Sequence, residues 1–205
     1  MTTRTITGLY DTYPDAVQSV RDLEAIGIRH DDLSIVANNI DDQVATEKSN
    51  AGPDAAAGAG VGAILGGGIG ALAGLGMLAI PGVGPVVAAG WLVATAVGAV
   101  AGAGAGGATG GIVGSLTSSG VTKEHANIYA EGIRRGGTLV TARVAEERAV
   151  EVEQIMRSNH AVEPTSRERA YRDAGWKTFD ATAKPYTPTE LAEERQRNRD
   201  LTAVL

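Results

Sequence analysis

The sequence predicts an α+β fold in which two strand–helix–strand halves close one antiparallel sheet around a long apolar interruption. Three observations carry that prediction. Segments of strand and helix character follow one another in the same order near each end of the chain. Glycine and charge are segregated between them: 20 of the 28 glycines lie from Gly58 to Gly114, and no charged residue occurs from Ala55 to Thr122. Within that block glycine recurs at every fourth position in two registers, Gly58, Gly62, Gly66, Gly70 and Gly74, then Gly98, Gly102, Gly106, Gly110 and Gly114.

Residues 1–38 form the first half. "TRTITGLYD", residues 3–11, is rich in β-branched and aromatic side chains and reads as a strand. Pro14 suits the first turn of a helix whose inner face is Ala16, Val17, Val20, Leu23 and Ile26, and Gly27 supplies its left-handed stop. "LSIVA", residues 33–37, is the second strand. Residues 39–54 are a polar, turn-rich linker.

Residues 121–163 repeat the order. "TKEHANIYAEGIRR" places Ala126, Tyr129, Ala130 and Ile133 on one helix face and stops at Gly136-Gly137. "TLVTARV", 138–144, is a strand; "AEERAVEVEQIMRSN" is an amphipathic helix with Ala149, Val152, Ile155 and Met156 inward; "HAVE" closes as a short last strand. Two such βαβ halves, pairing as a four-stranded sheet with helices on one face, make a ferredoxin-like α/β sandwich.

The block between the halves, 55–120, is expected to be a helical hairpin. Segments 55–80 and 86–118 are each long enough, at 1.5 Å per residue, to cross a hydrocarbon layer about 30 Å thick. "PGVGP" between them turns the chain so that both ends emerge on one side. Each interior glycine costs about 0.8–1 kcal/mol of helix propensity, and a glycine stripe offsets this only where a second backbone approaches closely along it. The leucines and isoleucines off the stripe, such as Ile64, Leu65 and Leu72, then require lipid or further copies of the chain as cover.

The tail, 164–205, holds four of the eight aromatics, Tyr171, Trp176, Phe179 and Tyr186, and Thr187-Pro188-Thr189-Glu190 has the form of a capping box before a last charged helix. Such aromatic content predicts docking, on this domain or on a neighbouring subunit.

Chemistry is sparse. Formal net charge is −6, spread over both ends, which argues against a nucleic-acid surface. Cysteine is absent, and the start lacks the apolar run of a secretory signal, so the expected place is inside the cell, in the cytoplasm or on the cytoplasmic face of the inner membrane. The glycine runs are not phosphate loops: no strand precedes them and no Gly-Lys-Ser/Thr follows. His30, His125 and His160 lack metal-ligand spacing, Asp31-Asp32 and Asp41-Asp42 sit in polar turns, and Arg134-Arg135-Gly136-Gly137 reads as helix capping rather than an anion site. No catalytic residue, cofactor, metal or small-molecule substrate is indicated.

"GLYDTYPDAVQSVRDLEAIGIRHDDLSIV", with "VTKEHANIYAEGIRRGGTLVTARV" and "AEERAVEVEQIMRSNHA", resembles the bacterial general-stress-protein and low-temperature-induced protein family, over residues 3–37 and 121–162. The resemblance implies a stress-linked, non-enzymatic role and supplies no catalytic residues. The expectation is a homo-oligomeric protein whose glycine-zipper hairpin self-associates and meets the lipid bilayer. The alternative is a soluble self-assembled ring, cage or filament with the hairpins pooled in its core.

Overall fold

A computed structural model of the chain describes residues 2–40, 76–92 and 111–203. They form a mixed fold of six α-helices and one antiparallel sheet of five strands. In chain order the elements are β1 (Thr3–Tyr10), α1 (Tyr13–Ala25), β2 (Leu33–Asn38), β3 (Gly76–Ile80), β4 (Gly84–Gly90), α2 (Gly111–Ser118), α3 (Lys123–Arg134), β5 (Thr138–Ala145), α4 (Ala149–Ser158), α5 (Pro164–Asp173) and α6 (Pro188–Ala203). The sheet order is β1-β5-β2-β4-β3.

Local chemistry sets several of these boundaries. The Thr12 hydroxyl accepts from the Asp15 amide and caps α1, with proline in its first turn. Thr122 does the same for α3 through the His125 amide. Gly27 and Gly136, at φ of 85° and 91°, follow the last turns of α1 and α3 in the left-handed region that glycine enters without a Cβ penalty.

Strand alternation then divides the core in two. Ile6, Tyr10, Leu33, Ile35, Val140 and Ala142 face α1 and α4. Leu9, Val36, Val86, Ala88 and Leu139 face the other way, against Ile112 and Leu116 of α2 and Tyr129 and Ile133 of α3. Every residue of β2 is buried, as befits a strand with partners at both edges and cover on both faces.

Three expectations are corrected. Helices cover both faces of the sheet, not one: α3, the first helix of the second half, packs with α2 on the face opposite α1 and α4. The helical hairpin does not hold at its centre: Gly76–Ile80 and Gly84–Gly90 are strands, and "PGVGP" is the turn between them. The reason is the free edge of β2, whose Ser34–Asn38 backbone pairs with Val86–Gly90 and so draws this stretch into the sheet. Third, "HAVE" is not a strand. It makes a single antiparallel bridge, Leu9 to Val162, between His160 at φ 66° and the proline that opens α5.

Candidate functional site

The described part of the tail folds back across its own domain, held by paired arginines at the end of α3. Arg135 is the centre. Its Nε donates to Glu131 Oε1 at 2.7 Å, its Nη1 donates to Glu194 Oε1 of α6 at 2.8 Å, and its guanidinium lies 4.3 Å from the centre of the Tyr171 ring. Glu131 is fully buried, and Arg135 and Glu194 nearly so. Burial pulls the Arg135 pKa down, but the hydrogen bond and charges of Glu131 and Glu194 outweigh it, and the net shift is upward. Burial raises the Tyr171 pKa and that of Tyr186, Arg135 opposing both shifts.

The tail is tied down along its length. Arg167 of α5 donates to Asp11 Oδ2 at 2.7 Å, just after β1. Trp176 meets Tyr171 edge-on at 5.8 Å, and Phe179 packs partly buried against the α2–α3 side of the core. Arg134 donates to the Lys184 carbonyl at 3.1 Å and stacks 4.8 Å from the Tyr186 ring. Thr187 and Glu190 make the reciprocal capping box: the Glu190 amide donates to Thr187 Oγ1 at 3.3 Å, and the Thr187 amide to Glu190 Oε2 at 2.7 Å. Beyond it Leu191 is buried over Gly136.

This strap crosses the β3–β4 turn. A Cβ on Gly82, whose φ is 75°, would lie 2.5 Å from the Asp180 carbonyl oxygen and 2.7 Å from Ala181 Cα. Gly82→Ala is therefore expected to lift the 180–185 strap. The cost is limited to about 1–2 kcal/mol, the penalty of a left-handed non-glycine residue, because lifting the strap relieves the clash. Faster trypsin cleavage after Lys177, just before the strap, with α1 and β5 still protected, checks it.

Of the stripe glycines, Gly114 lies in α2, half-buried, its carbonyl accepting from Thr117 Oγ1 at 3.0 Å. Gly58, Gly62, Gly66, Gly70, Gly74, Gly98, Gly102, Gly106 and Gly110 lie outside the described residues, as do Asp41 and Asp42. The segments that hold them leave and rejoin one domain, at Ile40 and Gly76 and at Leu92 and Gly111. Gly76 pairs with Ala88 beside the end of β4, so Gly76 and Trp91 sit at the same end of neighbouring strands.

The histidines are dispersed: His30 lies 3.4 Å from Glu24, exposed His160 is 3.5 Å from Asp15, and His125 is near Tyr129. Asp32 is not simply solvated, since it pairs with Arg29 at 2.8 Å and Arg143 at 3.3 Å. Among the described residues no group of acidic and histidine side chains is arranged to hold a metal ion. The arrangement holds the tail to its own domain. Sequence reasoning marked the four aromatics but missed Arg134, Arg135, Glu131 and Glu194 as their partners; a buried-charge signal does not exist in one dimension. Comparison with protein families, curated proteins and solved structures finds no match for this chain.

Proposed function

We propose that the chain is a non-catalytic self-assembling protein, in which a strapped α/β domain presents the glycine-rich segments for association with copies of itself. The observation that carries this reading is the pair of four-residue glycine registers in a stretch without charge, set between elements that all belong to one domain. A stress-linked role is what the family resemblance adds. Within this reading the domain is a ferredoxin-like sandwich. The order β1-β5-β2, with Val162 bridged to the outer side of β1, supports that, β3–β4 being an added hairpin.

The same topology favours self-association over a bilayer-crossing hairpin. The turn meant for the far side of the membrane lies in the sheet under the tail. No helix among the described residues is long and apolar enough to cross a membrane. Contact with a lipid surface remains compatible with the glycine segments.

Size-exclusion chromatography with light scattering, without detergent, is expected to give an oligomer. Gly66→Leu, at the centre of the first register, is expected to dissociate it by overpacking a close contact, at a cost of about 1–3 kcal/mol, with Ala63→Leu milder. A detergent-free monomer, or an oligomer indifferent to Gly66→Leu, counts against the proposal. Retention on membranes after an alkaline carbonate wash would restore the bilayer-inserted version.

A further inference from the structure

Among the described residues the outer side of the edge strand β1 is bridged at Leu9 alone, and a groove runs beside the rest of it. The Thr2 carbonyl accepts from Glu146 on the β5 side, and the Leu9 carbonyl accepts from Val162 at 2.7 Å on the opposite side. In an antiparallel strand these directions alternate, so the amides and carbonyls of Thr3, Thr5 and Thr7 point outward with Leu9. Among the described residues the Thr7 carbonyl alone meets a side chain there, the Tyr129 hydroxyl at 3.4 Å. Among the described residues no strand faces the remainder, because the chain turns away into α5 at Pro164. Thr7 Oγ1 is also buried at this edge without a hydrogen-bond partner.

Alongside Thr3–Thr7 lies a cavity of about 730 Å³, walled on one side by Glu153, Met156 and Arg157 of α4 and on the other by Val121, His125 and Tyr129. Five residues of strand span about 17 Å. Charge in the walls is balanced: Glu153 pairs with Arg4 at 3.8 Å and Arg157 at 3.4 Å. The edge is recessed between these walls. One free strand, about 4.8 Å away, is the element that such a narrow, helix-walled edge can pair with along Thr3–Thr7.

We propose that this groove binds an extended, uncharged peptide segment of a partner protein by strand addition, continuing the line begun by Val162. Backbone hydrogen bonds to Thr3, Thr5 and Thr7 hold it. Alternate side chains fall toward Met156 and Ile6, which select apolar residues, and toward His125 and Tyr129, which select small or hydrogen-bonding ones. The proposal is independent of the glycine segments.

The test uses the full chain and three hexapeptides with blocked ends, alternating valine with threonine, leucine with serine, and isoleucine with asparagine. At least one is expected to bind saturably and to slow hydrogen exchange at the Thr3, Thr5 and Thr7 amides by about tenfold or more. N-methylation of alternate amides on one edge of that peptide is expected to remove the protection, and methylation of the other edge to spare it. Thr5→Pro deletes one outward amide while leaving the β5 ladder intact, and should weaken binding about tenfold, the worth of one backbone hydrogen bond. Where Thr5→Pro does not fold, the two methylated peptides decide. No protection with any peptide, equal binding of both methylated forms, or protection accompanied by dimerisation through this edge overturns the proposal.

Discussion

Arg135→Ala is expected to lower folding stability by about 3–5 kcal/mol, the range for removing one partner of a buried ion pair. The side chain sits between two buried carboxylates and over an aromatic ring, so its loss removes the cation that bridges them and leaves Glu194 to the largely exposed Arg197 at 2.8 Å and Glu131 to Arg134. Arg134 compensates only in part: it reaches Glu131 at 3.4 Å, but half of its work lies at Lys184 and Tyr186. The chain's escape is to release α6, taking Glu194 into water. Urea denaturation should therefore show the lost stability, and limited trypsin digestion should cut first among the arginines from Arg167 to Arg197. Adding Glu194→Leu to Arg135→Met should recover part of the loss, since an apolar replacement of a whole buried pair costs far less than half of one. Wild-type stability and tail protection in Arg135→Ala would mean that the clasp does not hold the tail.

That cluster shows what was hidden in the sequence and why. Glu131 and Arg135 are one helical turn apart, a spacing common on any solvated helix, and Glu194 is 59 positions further on. Nothing local says that this turn is buried. The aromatics were legible because four in a polar tail are out of place, and the capping box at Thr187 and Glu190 because it is a local device. The elements at 3–37 and 121–158 were legible for the same reason: Pro14, Gly27 and Gly136 mark helix ends by chemistry that acts within a few residues, whereas the Thr12 and Thr122 caps became visible only in the structure.

The β3–β4 hairpin had no such mark. "GMLAI" and "GPVVAAG" carry neither a clean alternation nor a helical stripe, and they lie inside a composition that repeats on both sides. Their strand character is supplied by β2. The turn was read correctly as a turn but attached to the wrong kind of element, since proline and glycine report where a chain reverses and not what it reverses between.

Gly90→Ala probes that dependence on β2. Gly90 ends β4 at φ 92°, opposite Ser34, and an added Cβ would lie 2.2 Å from the Leu33 carbonyl oxygen and 2.7 Å from Ser34 Cα. Both are backbone atoms of a fully buried strand, so neither side can give way by changing a rotamer. The left-handed conformation adds about 1–2 kcal/mol to an overpacking cost of about 1–3 kcal/mol. A total of about 2–5 kcal/mol lowers the melting temperature by roughly 4–20 °C for a chain of this size. The strain has one outlet, which is to separate the end of β4 from β2. That movement also pulls on Trp91, whose Nε1 donates to the Asp32 carbonyl at 3.3 Å beneath the Arg143 guanidinium. Gly27→Ala is the control: its φ is 85°, but no atom lies within 4 Å of the new Cβ, so it isolates the conformational part alone. Thermal melts of the two variants should differ by the clash, with Gly90→Ala the less stable and its Trp91 fluorescence shifted toward that of exposed indole. Equal melting temperatures would mean that β4 does not close on β2 at this point, and the hairpin between the glycine segments would lose its anchor in the sheet.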